Sequence, residues 1–374
     1  MSDFAEIFPP GEFLREELEE RGWSQLDLAK ITGKSERLVN EVVNAKRTVT
    51  PETAKALSAA FGTSPQYWLN LENAWQLFQL ERPGNDIERR SHLYSKFPVR
   101  EVIKRGWVED SENIETLESR FFELYRISGI DEEIKYAANF RGPEENHDSA
   151  TNVQIAWLYR CWQIAEKVAV PKFNLKLLAG CFTELKNLLA NPEDVRHVPR
   201  LLGEYGIRFM LVENIKGAKT DGVCFWLDSN SPVVAMSMRY GRLDWFWFTL
   251  LHELRHVANL DGLESPMVDV DLINREPVTD VEVKADTEAS DFLISQTDVN
   301  NFVACVSPLY STQRVVGFSR KNNIHPALLA GRLQHMKEIP YTQFRSMLVD
   351  IRKLLLPGAI ADGWGHSISD IGVT

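Results

Sequence analysis

Along residues 9 to 80, apolar side chains recur at three- and four-residue intervals in five short runs, each bounded by residues that start or stop helices. In "PPGEFLREELEERG", Phe13, Leu14 and Leu18 share a face and Gly22 ends the run. Ser24 is an N-cap type residue ahead of "QLDLAKITG", which closes at Gly33. Ser35 caps "ERLVNEVVNAKR", with Leu38, Val39, Val42 and Val43 as its apolar stripe. Thr50 and Pro51 open "PETAKALSAAFG", proline taking its favoured first position, and "TSPQYWLNLENAWQLFQL" completes the set with two tryptophans.

The pattern weakens over residues 81–109, where Arg82, Arg89, Arg90, Lys96, Arg100, Lys104 and Arg105 crowd together, and this stretch is expected to be a basic connector. Residues 110–204 show helical spacing with Trp157 and Trp162 in core-like positions. From Gly206 the texture changes to three short β-prone runs, "GIRFMLVE", "DGVCFWLD" and "SPVVAMSM", followed by the helical run "FTLLHELRHV". Residues 296–357 return to helical spacing, and 358–374 is expected to be a loose tail. The expected fold is mainly α, and α+β overall. Its segments are a five-helix domain over 1–80, the connector, a helical middle region, a small sheet with helices over 205–295, a helical extension and the tail.

Composition narrows the class. With 44% apolar and 25% charged residues in 374, the chain is an ordinary globular sequence with room for more than one core. No apolar run approaches the roughly 20 residues that span a bilayer, so no membrane partner is expected. The acidic start and four scattered cysteines point to the cytoplasm, with the thiols buried rather than bridged. A formal charge of -11 excludes non-specific coating of nucleic acid, so charge has to be read by segment.

One segment departs from that balance. Residues 30 to 47 hold five basic side chains (Lys30, Lys34, Arg37, Lys46, Arg47) against Glu36 and Glu41. The same segment has helix-turn-helix spacing: Ala29 is small enough for a close crossing, Gly33 takes the turn, and Val39 and Val42 face inward. Glu36, Arg37, Asn40, Glu41 and Asn44 are left outward, and Arg, Asn and Glu can pair with guanine, adenine and cytosine edges. On pattern alone a helical module that binds only protein remains open. The proline-glycine lead-in, "SQ", "TPETA" and the tryptophan of "YWLNL" resemble the HigA-type antitoxins of the Cro/repressor superfamily. That resemblance implies a double-stranded DNA operator, phosphate contacts by Gln25 and Ser35, groove reading from Ser35 to Asn44, and a homodimer. The family usually has glycine where this chain has Ala45, so the end of the reading helix is expected to differ.

The second candidate is "HELRH". On a helix His252 and His256 lie one turn apart on one face and can ligate a single ion, while Glu253 beside them can act on water as a general base. Two core histidines on a buried helix are the alternative. A zinc site needs a further ligand, and "KADTEASDFLISQ" offers Glu288 first, Asp286 as competitor, with Glu282 upstream as a third choice. The β-prone runs, "FTLLHELRHV" and "DTEASDFLIS" together resemble the ImmA/IrrE zinc metallopeptidases. This implies a zincin-like domain, Zn2+, ligands His252, His256 and Glu288, general base Glu253, and a protein substrate: a regulator, a toxin-related protein or the chain itself. Arg255 stands where the family has glycine, and could narrow the cleft, hold an acidic substrate side chain or keep the enzyme latent. His325, Tyr240 and Arg242 are candidate oxyanion donors, and Cys224 a remote candidate ligand. The rival expectation is a non-enzymatic antitoxin that neutralises a ribonuclease toxin, its metal domain a sensor or scaffold.

Overall fold

The computed structural model describes residues 7–79, 86–135, 151–270 and 279–365. They form two compact units that divide between Arg90 and Ser91. Arg82 of the basic stretch, residues 271–278 and the tail from 366 lie outside the described residues.

The first unit holds the five expected helices: α1 (Pro10–Arg21), α2 (Gln25–Thr32), α3 (Glu36–Val43), α4 (Pro51–Phe61) and α5 (Pro65–Gln79). Their ends follow local chemistry. Ser24 and Asp27 close a reciprocal capping box on α2, Ser35 Oγ accepts from the Leu38 amide, and Gly22, Gly33 and Gly62 take left-handed backbone at the helix stops. Leu14, Leu18, Leu28, Ala29, Val39, Val42, Leu57 and Trp68 make the core, while Phe13 and Leu38 of the expected apolar faces pack against it only partly buried. Trp68 Nε1 donates to Thr63 Oγ1 at 2.8 Å, and the buried Glu72 carboxylate accepts from the Val49 amide at 2.9 Å. Neither polar group is therefore buried without a partner.

The supposed connector is helical: α6 (Asp86–Lys96) and α7 (Val99–Lys104) occupy it. Sequence pattern missed them because each buries only one or two residues of its own, Leu93 in α6 and Val99 and Val102 in α7, which leaves little periodicity to read. Then come α8 (Ile114–Tyr125), α9 (Asn152–Ala165), α10 (Leu178–Asn187) and α11 (Val198–Glu204). Strands β1 (Arg208–Val212), β2 (Thr220–Trp226) and β3 (Pro232–Met236) precede α12 (Leu243–Asn259). Beyond it lie β4 (Met267–Val270), α13 (Asp280–Leu293), α14 (Gln296–Val306), α15 (Thr312–Lys321), α16 (Pro326–His335), α17 (Arg352–Leu355) and β5 (Ile360–Asp362).

The sheet runs β4-β2-β3-β1-β5, with β1 parallel to β3 and β5, and β2 antiparallel to β3 and β4. It is buried on both faces, and the two-residue strand period sorts its side chains. Phe209, Leu211, Cys224 and Trp226 face a core shared with α12 and the helices after it, while Met210, Val212, Val223 and Phe225 face a second core built with α8 and α9. Residues 110–204 and 296–357 therefore do not stand apart from the sheet; they cover its two faces in one unit. Two strands escaped the sequence reading. β4 is four residues long, and β5 lies in the expected tail, where three residues carry no readable alternation.

Candidate functional site

In the first unit the residues expected to meet DNA share one accessible surface. Ser35, Glu36, Arg37, Asn40, Asn44, Lys46 and Arg47 are exposed, and Gln25 and Glu41 half-buried. Several of them contact one another. Arg37 Nε donates to Glu41 Oε1 at 2.8 Å, Arg47 Nε lies 2.9 Å from Glu41 Oε2, and Asn40 Nδ2 donates to Gln25 Oε1 at 3.0 Å. The Arg37 hydrogen bond holds the Glu41 carboxyl below the usual carboxylate range. Glu41 thus serves to aim two arginines. Ser35 Oγ already accepts from Leu38, which leaves its hydroxyl proton for an outside acceptor.

In the second unit α12 projects His252 and His256 from one buried face, their Nε2 atoms 3.0 Å apart. Asp269 Oδ2 on β4 lies 3.0 Å from His252 Nε2, and Glu282 of α13 brings Oε2 to 3.3 Å from His252 Nε2 and Oε1 to 3.8 Å from His256 Nε2. Each of the four offers one ligand atom, all within 4.8 Å of one another, and all four residues are buried. Donor atoms at the corners of a tetrahedral zinc centre with bonds of about 2.0–2.1 Å stand roughly 3.4 Å apart, so these spacings suit one small cation. The outer ring nitrogens add a second fit. His256 Nδ1 shares a 3.1 Å hydrogen bond with Asp261 Oδ2, and Asp286 Oδ1 lies 2.8 Å from His252 Nδ1. Carboxylates at Nδ1 orient an imidazole so that Nε2 meets a metal.

The structure brings together only part of the expected ligand set. Glu288 is not in the cluster: its Oε2 lies 3.6 Å from Arg255 Nε and its Oε1 3.9 Å from Lys284 Nζ. The reason is helical phase. Glu282 and Asp286 are four residues apart and share a face, whereas Glu288 sits about 120° round from Glu282. Asp286 reaches His252 at the outer nitrogen, and Glu282, the third choice, holds the inner position. Arg255 does not enter the site either. Its guanidinium stacks 4.3 Å from the Phe182 ring and 5.8 Å from Phe292, tying α10 to α12 and α13.

Glu253 lies against β2, fully buried. Burial first, and then the Asp269 charge, raise its carboxyl well above the usual range, with His252 opposing. For His252 burial lowers the imidazole, but Asp269, Asp286 and Glu282 outweigh it and the net direction is up. Space for the Glu253 carboxylate comes from Gly222, where any Cβ would overlap Oε1. Gly222 pairs with Asp269 across β2 and β4, so the strand period turns both toward α12. The readable signal for Gly222 was a glycine inside a strand, which marks a close approach. Asp269 and Asp261 carry no such signal in the sequence.

The remaining candidates fall elsewhere. His325 Nδ1 accepts from the Ala327 amide at the start of α16, a helix cap. Arg242 is bound by Asp244 and Gln334, and with Tyr240 it lines a separate cavity. Cys224 is buried among apolar residues, and its thiol is pushed up chiefly by that burial. All four cysteines are free, and Cys305 is exposed. No helix among the described residues is long and apolar enough to cross a membrane.

The five-helix unit, with α3 presenting Arg37 and Asn40 on its exposed face, has the form of a helix-turn-helix reader. Its family model matches residues 14–68. The HTH-type transcriptional regulator YddM of Escherichia coli (strain K12) is 37% identical over 87 residues, 23% of this chain and 92% of that protein. Virulence-associated protein I of Dichelobacter nodosus is 40% identical over 79 residues, 21% of this chain and 73% of that protein. The chain therefore belongs to the helix-turn-helix transcriptional regulators. Among solved structures, Pseudomonas aeruginosa antitoxin HigA with the higBA promoter is similar at 36% identity, over 19% of this chain and 79% of that one, with a TM-score of 0.19.

Proposed function

We propose that the chain is an antitoxin-like transcriptional regulator that binds a double-stranded DNA operator as a homodimer, and that its second unit is a zinc-dependent endopeptidase. Membership of the regulator family and the exposed face from Gln25 to Arg47 support the first half. Two-fold operators match two-fold dimers, and Leu77 (71% exposed) and Phe78 (60% exposed) on α5 offer apolar surface for a second copy. The observation that carries the second half is the convergence of His252, His256, Glu282 and Asp269, with Asp261 and Asp286 behind the rings.

Zinc, when bound, supplies a Lewis acid that polarises a carbonyl and makes water acidic near neutrality. His252, His256 and Glu282 would hold it. Glu253 would take a proton on a carboxylate oxygen from the water that adds to the carbonyl carbon and return it to the amine as the C–N bond breaks, for which it must be ionised; a bound cation nearby would lower its pKa toward that form. Asp286 and Asp261 keep both imidazoles in the tautomer that leaves Nε2 free. The substrate would be a regulator, a toxin-related protein or the chain itself.

One observation favours a second reading. Asp269 is a fourth protein donor in a fully buried cluster, and four-coordinate closed zinc sites are structural, whereas catalytic ones keep a position open. On that reading the protein is a non-enzymatic antitoxin with a metal sensor, and a ribonuclease toxin is its partner. Zinc-loaded wild type and Glu253→Gln separate the two when incubated with candidate repressors and toxins. Cleavage by wild type alone, with metal retained in both, supports hydrolysis; equal survival of every partner refutes it. For DNA, Arg37→Ala with Asn40→Ala removes two base-edge contacts of about 1–3 kcal/mol each. Specific protection of the chain's own promoter then disappears, and unchanged protection would sink the assignment.

A further inference from the structure

A cavity of about 280 Å³ opens beside α12, α13 and α16, away from the clustered donors but one helical turn from His252. Tyr240, Trp245, Phe248 and Tyr341 give it aromatic walls, and Arg332 and His335 of α16 reach it from one side. Its two arginines differ. Arg242 is compensated, since Asp244 accepts two hydrogen bonds from it at 3.0 and 2.7 Å. Arg332 is half-buried and donates only to neutral groups, Ser290 Oγ at 2.7 Å and Gln296 Oε1 at 2.6 Å. It forms no ion pair among the described residues, its Nε is buried without an acceptor, and burial holds the guanidinium below its ordinary pKa, opposed by the charges of Asp291 and Asp286. A cation taken from water without a contacting anion is costly, and a carboxylate meets its fork geometry.

We propose that this cavity binds a small aromatic carboxylic acid, its ring against Trp245 and Phe248 and its carboxylate on Arg332. Aromatic walls with one convergent charge are the usual make-up of a small-molecule site. The ligand would touch both helices that carry the histidine cluster, because the Phe248 ring is 6.2 Å from that of His252 and Ser290 shares α13 with Glu282. Binding itself depends on neither metal nor hydrolysis.

The test is calorimetric titration of the full chain with 2-naphthoate and, separately, with neutral 2-naphthamide. The acid should saturate one site per chain and bind at least tenfold more tightly than the amide. Arg332→Gln should erase that preference while amide binding persists, and Leu328→Trp, which fills the cavity, should abolish both. No saturable naphthoate binding, equal affinity for the amide, or full acid preference in Arg332→Gln overturns the proposal. If Arg332→Gln melts at the working temperature, the wild-type acid-to-amide ratio and the Leu328→Trp titration decide it.

Discussion

Ala45 takes a left-handed backbone, φ 53°, directly after the reading helix, where a side chain has a steric cost and glycine has none. Ala45→Gly should therefore stabilise the end of α3 by about 0.5–1 kcal/mol after allowing for the extra freedom of the unfolded chain. Slower hydrogen exchange of the α3 amides in the full chain would register this; unchanged or faster exchange would contradict it. Asp27 sets a pH dependence. The Ser24 hydroxyl, first, and the Ser24 amide, second, hydrogen-bond its carboxylate and depress its pKa. Because the folded value is the lower one, this contribution is present above the unfolded value near 3.9 and is lost as pH falls through the folded value. Wild type should lose more of the helicity of its first unit on acidification than Asp27→Asn does, as read by circular dichroism; identical acid profiles would exclude the linkage.

At the scale of elements, the site depends on how three of them are phased. α12 sets the two histidines by its own period, β2 turns Gly222 toward Glu253, and α13 offers Glu282 and Asp286 on one face. Gly222→Ala should destabilise the chain by about 1–3 kcal/mol through overpacking. The cost should shrink when Glu253→Ala is made as well, a coupling that a double-mutant cycle in denaturant measures. Simple additivity would mean that Gly222 does not make the room for Glu253. These elements also show what the sequence could and could not reveal. Caps and stripes are local, so α1 to α5, β1 to β3 and the face shared by His252 and His256 were all legible. The choice among Glu282, Asp286 and Glu288 was not, because it depends on the rotation of α13 against α12. Asp269 was hidden further, since its role exists only through the β2–β4 register.

For the whole molecule, the chain joins a helix-turn-helix unit to a larger unit whose sheet is covered on both faces. The division between Arg90 and Ser91 falls within the basic stretch of weak periodicity. The unity of the larger part was not, because helices far apart in sequence gave no sign that they share one sheet. The donor cluster in that unit is tested directly by elemental analysis of the purified full chain. The prediction is one equivalent of zinc per chain, lost in His252→Ala and in Glu282→Ala and kept in Glu288→Ala. Wild type without metal, or zinc kept in Glu282→Ala and lost in Glu288→Ala, would contradict it.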